Sequence, residues 1–370
     1  MDMFGKPGEY ACPKWQDDLA GDLRFVSCST QKHREQDWKQ LNSSLAPPTE
    51  RYAWNISATE VFGKNVHCFA VTDGNHHVDA LALLNRAGVL QPLSQPGVEE
   101  LQEPTDLLYR NPAALEVLTQ ELARHRFSIC FYRLPADSAT LPALRRAYKG
   151  RGLIRVSPQG SCPYIPLSRE WIDPEPRLSR RLRSDLRRAR KKADTRGGTS
   201  FVLHRPDKTS FTPLFHQALK VEDASWKGKT GSSLQRDPQR RRFFESYCLR
   251  AAERGELRIA FLYIGKEIAA MQIAAETGKG YWLYKIGYDS RFRACSPGML
   301  LVLETLREAA RTGLQSYQFL GYSSAWTRRW TELERPMVRV RTYALDGYGI
   351  GMLIKDAIRA LLQRMKRRES

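Results

Sequence analysis

Short apolar runs bounded by Gly, Pro, Asn or Asp predict strands, and apolar positions recurring every three or four residues predict helices. In the first half, Val66–Thr72 and 78–84 read as strands joined by the turn DGNHH, followed by a helix over 113–126 and a strand over 127–134. In the second half, 200–204 reads as a strand, and Phe211–Asp223 and 238–254 as helices. Leu257–Ile264, 267–275 and 281–287 are then three apolar, strand-length runs separated by short Gly-containing turns, the pattern of an antiparallel meander. The next stretch, SPGMLLVLETLREAARTG, has marked ends: Ser296 suits the N-cap, Pro297 the first helical position and Gly313 the stop. A strand over 316–320 closes this unit.

Five prolines (158, 163, 166, 174 and 176) interrupt helix between the two halves and favour an extended crossover. They place a domain junction there, giving an N-terminal domain over 1–165 and a C-terminal domain over 166–370. Residues 177–196 follow it, with ten basic and two acidic side chains. Leu178, Leu182, Leu186, Ala189 and Ala193 lie on one stripe of that helix, so one face packs and the others are cationic. The last helix also carries a stripe, Leu353, Ile354, Ala357, Ile358, Leu361, Leu362 and Met365, ahead of a basic tail. Such a stripe ordinarily docks on its own domain; the other reading is contact with the inner leaflet of a membrane.

Composition narrows the function. The 370 residues include 59 Lys and Arg against 40 Asp and Glu, a formal charge of +19, and 42% are hydrophobic, enough to fill ordinary cores. No apolar run spans a bilayer, and the first twenty residues mix charges with Pro and Gly, so the sequence reads as cytoplasmic, with peripheral attachment to the inner membrane left open. The seven cysteines are spread out, with no pair at two-residue spacing, and the histidines do not cluster with acidic residues, so no metal is expected. Nucleophile-elbow, phosphate-loop and dinucleotide motifs are lacking, which removes hydrolases, nucleotide-driven enzymes and dinucleotide-dependent oxidoreductases as first readings.

What remains is a strand, a short Arg- and Gly-containing turn and a helix N-terminus, the parts needed to hold a pyrophosphate: outward N–H groups, a favourable dipole, and Arg291 or Arg293 for charge-assisted hydrogen bonds. The plainer reading is a well-capped helix entry. The meander with RFRACSPGML, a long helix and a strand resembles the acyl-CoA-binding half of GNAT N-acetyltransferases. The phrases EDASWKGKTGSSL, YWLYKIGYDSRF, SPGMLL and FLGYSSAWTRRW, with EPTDLLYR and PYIPL in the first half, resemble the CelD-like acetyltransferases associated with cellulose and exopolysaccharide biosynthesis. That resemblance implies an α/β fold of two tandem GNAT-like domains and an acyltransferase using acetyl-CoA or another acyl-CoA. The related FemABX peptidyltransferases use the doubled architecture with aminoacyl-tRNA.

By the same resemblance, Arg293, Ser296, Pro297, Gly298 and Met299 sit where the CoA pyrophosphate is clasped. Glu222, Trp226 and Lys227 match an acidic-then-Trp-Lys pattern, and Lys285 and Asp289 match a strand-end pattern. Acyl transfer to an amine needs a base and a proton donor for the departing thiolate. Glu222 and Asp289 are candidate bases, Lys285 a further catalytic candidate, and Tyr284 or Tyr322 candidate donors, with Trp226, Lys227 and Tyr284 placed toward the substrate. Each has a bland counterpart: Glu222 with Lys227, or Lys285 with Asp289, as loop-fastening ion pairs, and Trp226 as core. Cys295, beside a helix start, is a candidate acyl-cysteine against the default of a buried thiol. Where the CelD-like pattern more often has an aromatic residue this chain has Cys295, and for Tyr-Lys it has Trp326-Thr327, departures that bear on acceptor choice. The cationic helix, through Arg180, Arg181, Arg187, Arg188 and Lys191, could meet a tRNA or membrane surface, or simply be solvated. The readings left standing are acyl transfer from CoA to an amine or hydroxyl of a sugar, peptide or lipid-linked precursor, aminoacyl transfer from tRNA, and a non-catalytic GNAT scaffold.

Overall fold

The computed structural model describes residues 23–28, 35, 38, 41, 47–86, 88 and 90–366. Two sheets organise it. The first pairs β1 (Arg24–Cys28), β2 (Val66–Thr72), β3 (Val78–Arg86) and β4 (Leu93–Ser94) in that order, with β5 (Leu108–Tyr109) also on β3. The second has eight strands in the order β6-β13-β7-β12-β11-β10-β9-β8. These are β6 (Cys130–Pro135), β7 (Gly152–Pro166), β8 (Thr199–His204), β9 (Leu257–Ile264), β10 (Glu267–Thr277), β11 (Gly280–Tyr288), β12 (Ser316–Gln318) and β13 (Glu334–Ala344). The principal helices are α1 (Tyr52–Phe62), α2 (Pro112–Arg124), α3 (Thr140–Tyr148), α4 (Arg180–Asp194), α5 (Phe211–Asp223), α6 (Pro238–Glu253), α7 (Pro297–Arg311) and α8 (Gly347–Lys366).

The halves exchange elements. Strand β13, from the last fifty residues, enters the first half and pairs with both β6 and β7. Helix α1, from the first half, sends Trp54 into an aromatic cluster with Phe243, Phe244 and Tyr247 of α6 and Tyr284 of β11. Strand β7 runs straight through Pro158, Pro163 and Pro166, a single extended segment whose later residues pair with β12. Prolines are tolerated in it because they meet bulged or end positions: the β7–β13 register shifts beside Pro158, and Pro166 is the last residue.

Around β9–β12 the sheet has apolar residues on both faces. One face, with Ile259, Phe261, Met271, Ile273 and Tyr284, packs under α5, α6 and α1; the other, with Leu262, Ala274, Tyr281 and Leu283, packs under α7 and α4. The stripe expected on the basic helix is realised, since Leu182, Leu186, Ala189 and Ala193 are buried and Ser179 caps Leu182 N–H at 3.2 Å.

Candidate functional site

Strands β11 and β12 are parallel and pair only at Gly280–Ser316, Tyr281–Tyr317 and Trp282–Gln318. Beyond that point β11 continues to Tyr288 against β10, while the chain after Gln318 turns away through Leu320 and Gly321, both in the left-handed region at φ 52° and 55°. The two strands therefore open as a V. At the opening β11 carries a bulge: Ile273 faces Lys285 and Ala274 faces Leu283, leaving Tyr284 as the extra residue. Tyr284 is turned into the aromatic cluster, its ring on Trp54 and its hydroxyl 2.7 Å from that of Tyr247. Burial raises its pKa well above the ordinary value, so it stays neutral. Lys285 lies with Nζ 4.8 Å from the Phe244 ring centre. Desolvation, with the nearby Lys227 charge, pulls its pKa down to about 8 against the opposing pull of Glu222 and Glu103.

A cavity of about 940 Å3 opens at the same V, lined by Trp282, Gln318 and Leu320 from the second half and by Glu50, Thr105 and Pro135 from the first. Glu103 precedes the lining residue Pro104 in the chain and accepts from Gly321 N–H at 3.4 Å. It is 9% exposed, and burial pushes its carboxyl up to about 7 even though Arg133 and Lys285 pull the other way. Arg133, buried, fixes this arrangement: it donates to Gln102 O at 2.6 Å, to Gly321 O at 2.5 Å and to Cys162 Sγ at 2.9 Å. Its guanidinium also lies 4.3 Å from the Tyr322 ring centre, while the Tyr322 hydroxyl is 3.4 Å from Gln159 Nε2. Glu50, a second carboxyl on the cavity, is raised by burial, and next by Asp106, to about 8. Neither Glu50 nor Glu103 was singled out by sequence reasoning. Glu103 belongs to the phrase EPTDLLYR, yet nothing in its local pattern says that a first-half carboxylate comes within the field of Lys285.

The acidic candidates from the sequence have other engagements. Glu222, 1% exposed in its side chain, takes Lys227 Nζ at 3.3 Å on Oε1 and Leu234 N–H at 3.0 Å on Oε2. Lys227 also donates to Ile286 O at 2.8 Å, so the pair pins the loop after α5 to β11. Gly287 permits the close approach, since a Cβ there would stand 3.0 Å from Glu222 Cα. Asp289 holds Arg291 through N–H, Nε and Nη2 at 2.9, 2.9 and 2.7 Å rather than pairing with Lys285. Burial pushes its carboxyl up, but those bonds outweigh it and hold it below the ordinary range. An Asp289→Asn variant is accordingly expected to keep its turnover within about threefold, checked by steady-state kinetics, because a carboxylate already depressed makes a weak base. The side chain of Trp226 lies outside the described residues.

At the other end of β11 lies the start of α7, where Ser296, Gly298 and Met299 are half-buried and Pro297 is buried. Ser296 occupies the N-cap position in the left-handed region at φ 45°; its hydroxyl does not cap the helix, but its carbonyl takes Met299 N–H at 3.0 Å, and since Pro297 has no N–H, Gly298 is left as the first-turn donor. A Cβ on Gly298 would meet only Tyr288 and Ile286, at 3.7 and 3.9 Å, so the chain's own packing does not demand glycine there. Arg329 donates to Met299 Sδ at 3.3 Å and pairs with Asp185 of α4, linking the α7 start to the basic helix. Between the first half of α4 and residues 325–332 lies a cavity of about 550 Å3 whose walls include Arg177, Arg181, Arg328 and Arg329. Arg293 is exposed, as are Arg180, Arg181, Arg187, Arg188 and Lys191. Cys295 is 1% exposed and packs with Ala193, Ile264, Ala269 and Phe292, which makes it a core residue and not a nucleophile open to an acyl group. Among the described residues no cluster of three or more His, Cys, Asp or Glu could hold a metal ion, and no helix is long and apolar enough to cross a membrane.

A V between parallel strands, with a bulge at its mouth and a helix start at its end, is the arrangement of the GNAT-like acyltransferase fold. Residues 180–328 match the family model described as an acetyltransferase (GNAT) domain. The chain is similar to the crystal structure of FemX, with a TM-score of 0.57 and 11% identity, covering 87% of this chain and 97% of that one. It is also similar to a conserved protein from Bacteroides thetaiotaomicron, with a TM-score of 0.55 and 11% identity over 86% of this chain and 99% of that one. The C-terminal domain of a putative lysylphosphatidylglycerol synthetase from Agrobacterium fabrum gives 0.53 and 12% identity over 87% and 95%. No curated protein matches in sequence. The expected α/β fold of tandem GNAT-like type is met.

Proposed function

We propose that the protein transfers an acyl group from a CoA thioester to an amine held in the cavity between the halves. The observation that carries the reading is that Glu103, held at the mouth of the V by Gly321 N–H, has its carboxyl raised to about 7, while Lys285 at the bulge has its ammonium lowered to about 8, each charge acting on the other. Two groups of opposite role poised near neutrality are what acid–base acyl transfer requires. Glu103 takes a proton from the acceptor's ammonium; the freed amine attacks the thioester carbonyl, forming the C–N bond as the C–S bond breaks. Lys285 then protonates the departing thiolate and is reprotonated by the second proton that the acylated nitrogen sheds, which leaves a neutral amide. Tyr284 and Trp282 wall the V, Lys227 and Glu222 hold β11 in place, and Arg133 positions Glu103. The carrier's pyrophosphate is placed at the α7 start, on the N–H of Gly298, with Pro297 and Met299 flanking it, Arg293 beside it and the arginine-lined cavity beyond. The resemblance to CelD-like proteins favours a sugar amine or hydroxyl of an exopolysaccharide precursor as the acceptor.

The test is calorimetric titration of nucleic-acid-free protein with acetyl-CoA, repeated with Arg293→Ala and Gly298→Trp. Saturable binding that Gly298→Trp abolishes and Arg293→Ala weakens by about tenfold is expected. No binding of acetyl-CoA, free CoA or a longer acyl-CoA overturns it. The exposed arginines of α4, continuous with the cavity at Arg177 and Arg181, then favour the second reading, an aminoacyl-tRNA as donor.

A further inference from the structure

The C-terminal helix α8 is mounted the wrong way round for an amphipathic helix. Its inward side is Gly349, Met352 and Asp356, and its apolar stripe faces out. Ile354 and Ile358 are each 54% exposed and Leu361 is 60% exposed, with Ile350, Leu362 and Met365 about as open and at helical spacing. An amphipathic helix normally turns such a stripe to its own core. The reason for the inversion is the surface beneath. Along β7 and β13 the apolar residues Ile154, Val156, Val338 and Val340 face the core under α2 and α3, so the alternate positions face α8. Those positions are Arg155, Ser157, Arg339, Arg341 and Tyr343, and α8 meets them with a polar contact: Asp356 pairs with Arg341 at 2.7 Å and accepts from Tyr343 at 2.6 Å.

That polar face is overloaded with positive charge. Arg155 sits directly opposite Arg341 in the register, a pairing of like charges that destabilises a sheet unless something offsets it. Asp356 is the one carboxylate in the cleft, of about 180 Å3, that Arg155, Arg339, Arg341 and Arg359 line. Arg341 is 8% exposed and its Nε has no hydrogen-bond partner. Among the described residues neither Arg155 nor Arg359 makes an ion pair, and Arg339 and Arg359 continue into a neighbouring cleft of about 310 Å3. The cleft thus sets four guanidinium groups against one carboxylate, the chemistry that takes an anion, and the exposed apolar stripe runs alongside it.

We propose that α8 docks the protein on an anionic phospholipid bilayer, with Ile350, Ile354, Ile358, Leu361, Leu362 and Met365 entering the acyl boundary and a lipid phosphate seated among Arg155, Arg339, Arg341 and Arg359. Charge selects this occupant over a second copy of the chain, because two such faces would bring two arginine clefts together. It also holds whichever donor the acyl-transfer site uses.

The experiment is co-sedimentation of the full chain with vesicles of phosphatidylcholine, alone or mixed with phosphatidylglycerol, at physiological salt. Binding to the mixed vesicles only is expected. Ile354→Asp with Ile358→Asp should weaken it at least about tenfold, and Arg155→Glu with Arg359→Glu should remove the preference for phosphatidylglycerol. All four side chains are exposed, so the variants should keep the parent's melting temperature. The basic helix serves as a control: Arg187→Glu with Arg188→Glu should change binding less than threefold. Absence of vesicle binding overturns the proposal, as does binding that follows Arg187 and Arg188 and ignores Ile354 and Ile358. A dimer by sedimentation velocity that the isoleucine variant dissociates also overturns it, by making a second copy the occupant.

Discussion

Replacing Glu103 by Gln is expected to lower kcat/KM by about 10² to 10⁴, the range for a lost general base. The pH profile carries the sharper signature. With a base titrating near 7 and an acid near 8, the parent should show a narrow bell, the two limbs belonging to the coupled pair rather than to either residue alone. Glu103→Gln should lose the acidic limb, and Lys285→Met the alkaline one. Stability should move the other way. A carboxyl whose folded pKa lies above its unfolded value stabilises the fold only while protonated, and that contribution disappears as pH rises through the folded pKa. Above pH 7 the ionised Glu103 therefore works against folding, and the Gln variant should melt no lower than the parent. Glu50 offers a control, because it also lines the cavity and its carboxyl, raised to about 8, is mostly protonated at neutral pH. A Glu103→Gln enzyme with an unchanged acidic limb, or a Glu50→Gln enzyme that loses it, would remove Glu103 from the mechanism.

The second-half unit was largely legible because its determinants are local. The strand Leu257–Ile264, the helix Phe211–Asp223 and the Pro297 helix start follow from apolar period, turn glycines and a proline at the first helical position. The Ser296 cap was legible in place but not in chemistry, since its left-handed backbone turns the hydroxyl away from capping. The longer-range facts were not legible. β13 has an apolar alternation, yet nothing local says that it returns to the first half and threads between β6 and β7. The bulge that separates Tyr284 from Lys285 depends on register against β10, not on either residue's type. Glu103 was invisible as a functional group for the same reason: its carboxyl is raised by burial, and the groups that act on it, Arg133, Lys285 and the Gly321 N–H, lie up to 218 residues away in sequence. The α8 stripe misled in direction, because the sequence shows that a helix is amphipathic but not which surface lies beneath it.

Glu222 gives the second large effect, and it separates holding a site from doing its chemistry. Glu222→Ala is expected to destabilise the fold by about 3–5 kcal/mol in urea unfolding, the range for removing one partner of a buried ion pair. Two losses add there: the charge that compensates Lys227, and the acceptor for the buried Leu234 N–H. Lys227 keeps Ile286 O, which leaves the cost at the lower end. Glu222→Gln retains an oxygen for Leu234 or Lys227 at nearly the same volume, so its cost should fall to about 1–2 kcal/mol. If Glu222 acts by fastening the loop to β11, the Gln variant should retain kcat within about tenfold and keep both limbs of the pH profile. A catalytic base would behave in the opposite way, with stability kept and the acidic limb lost. The two carboxylates thus exchange signatures: Glu222 is read in the unfolding curve, Glu103 in the pH profile, and a Gln substitution at each position is enough to tell which one takes the proton.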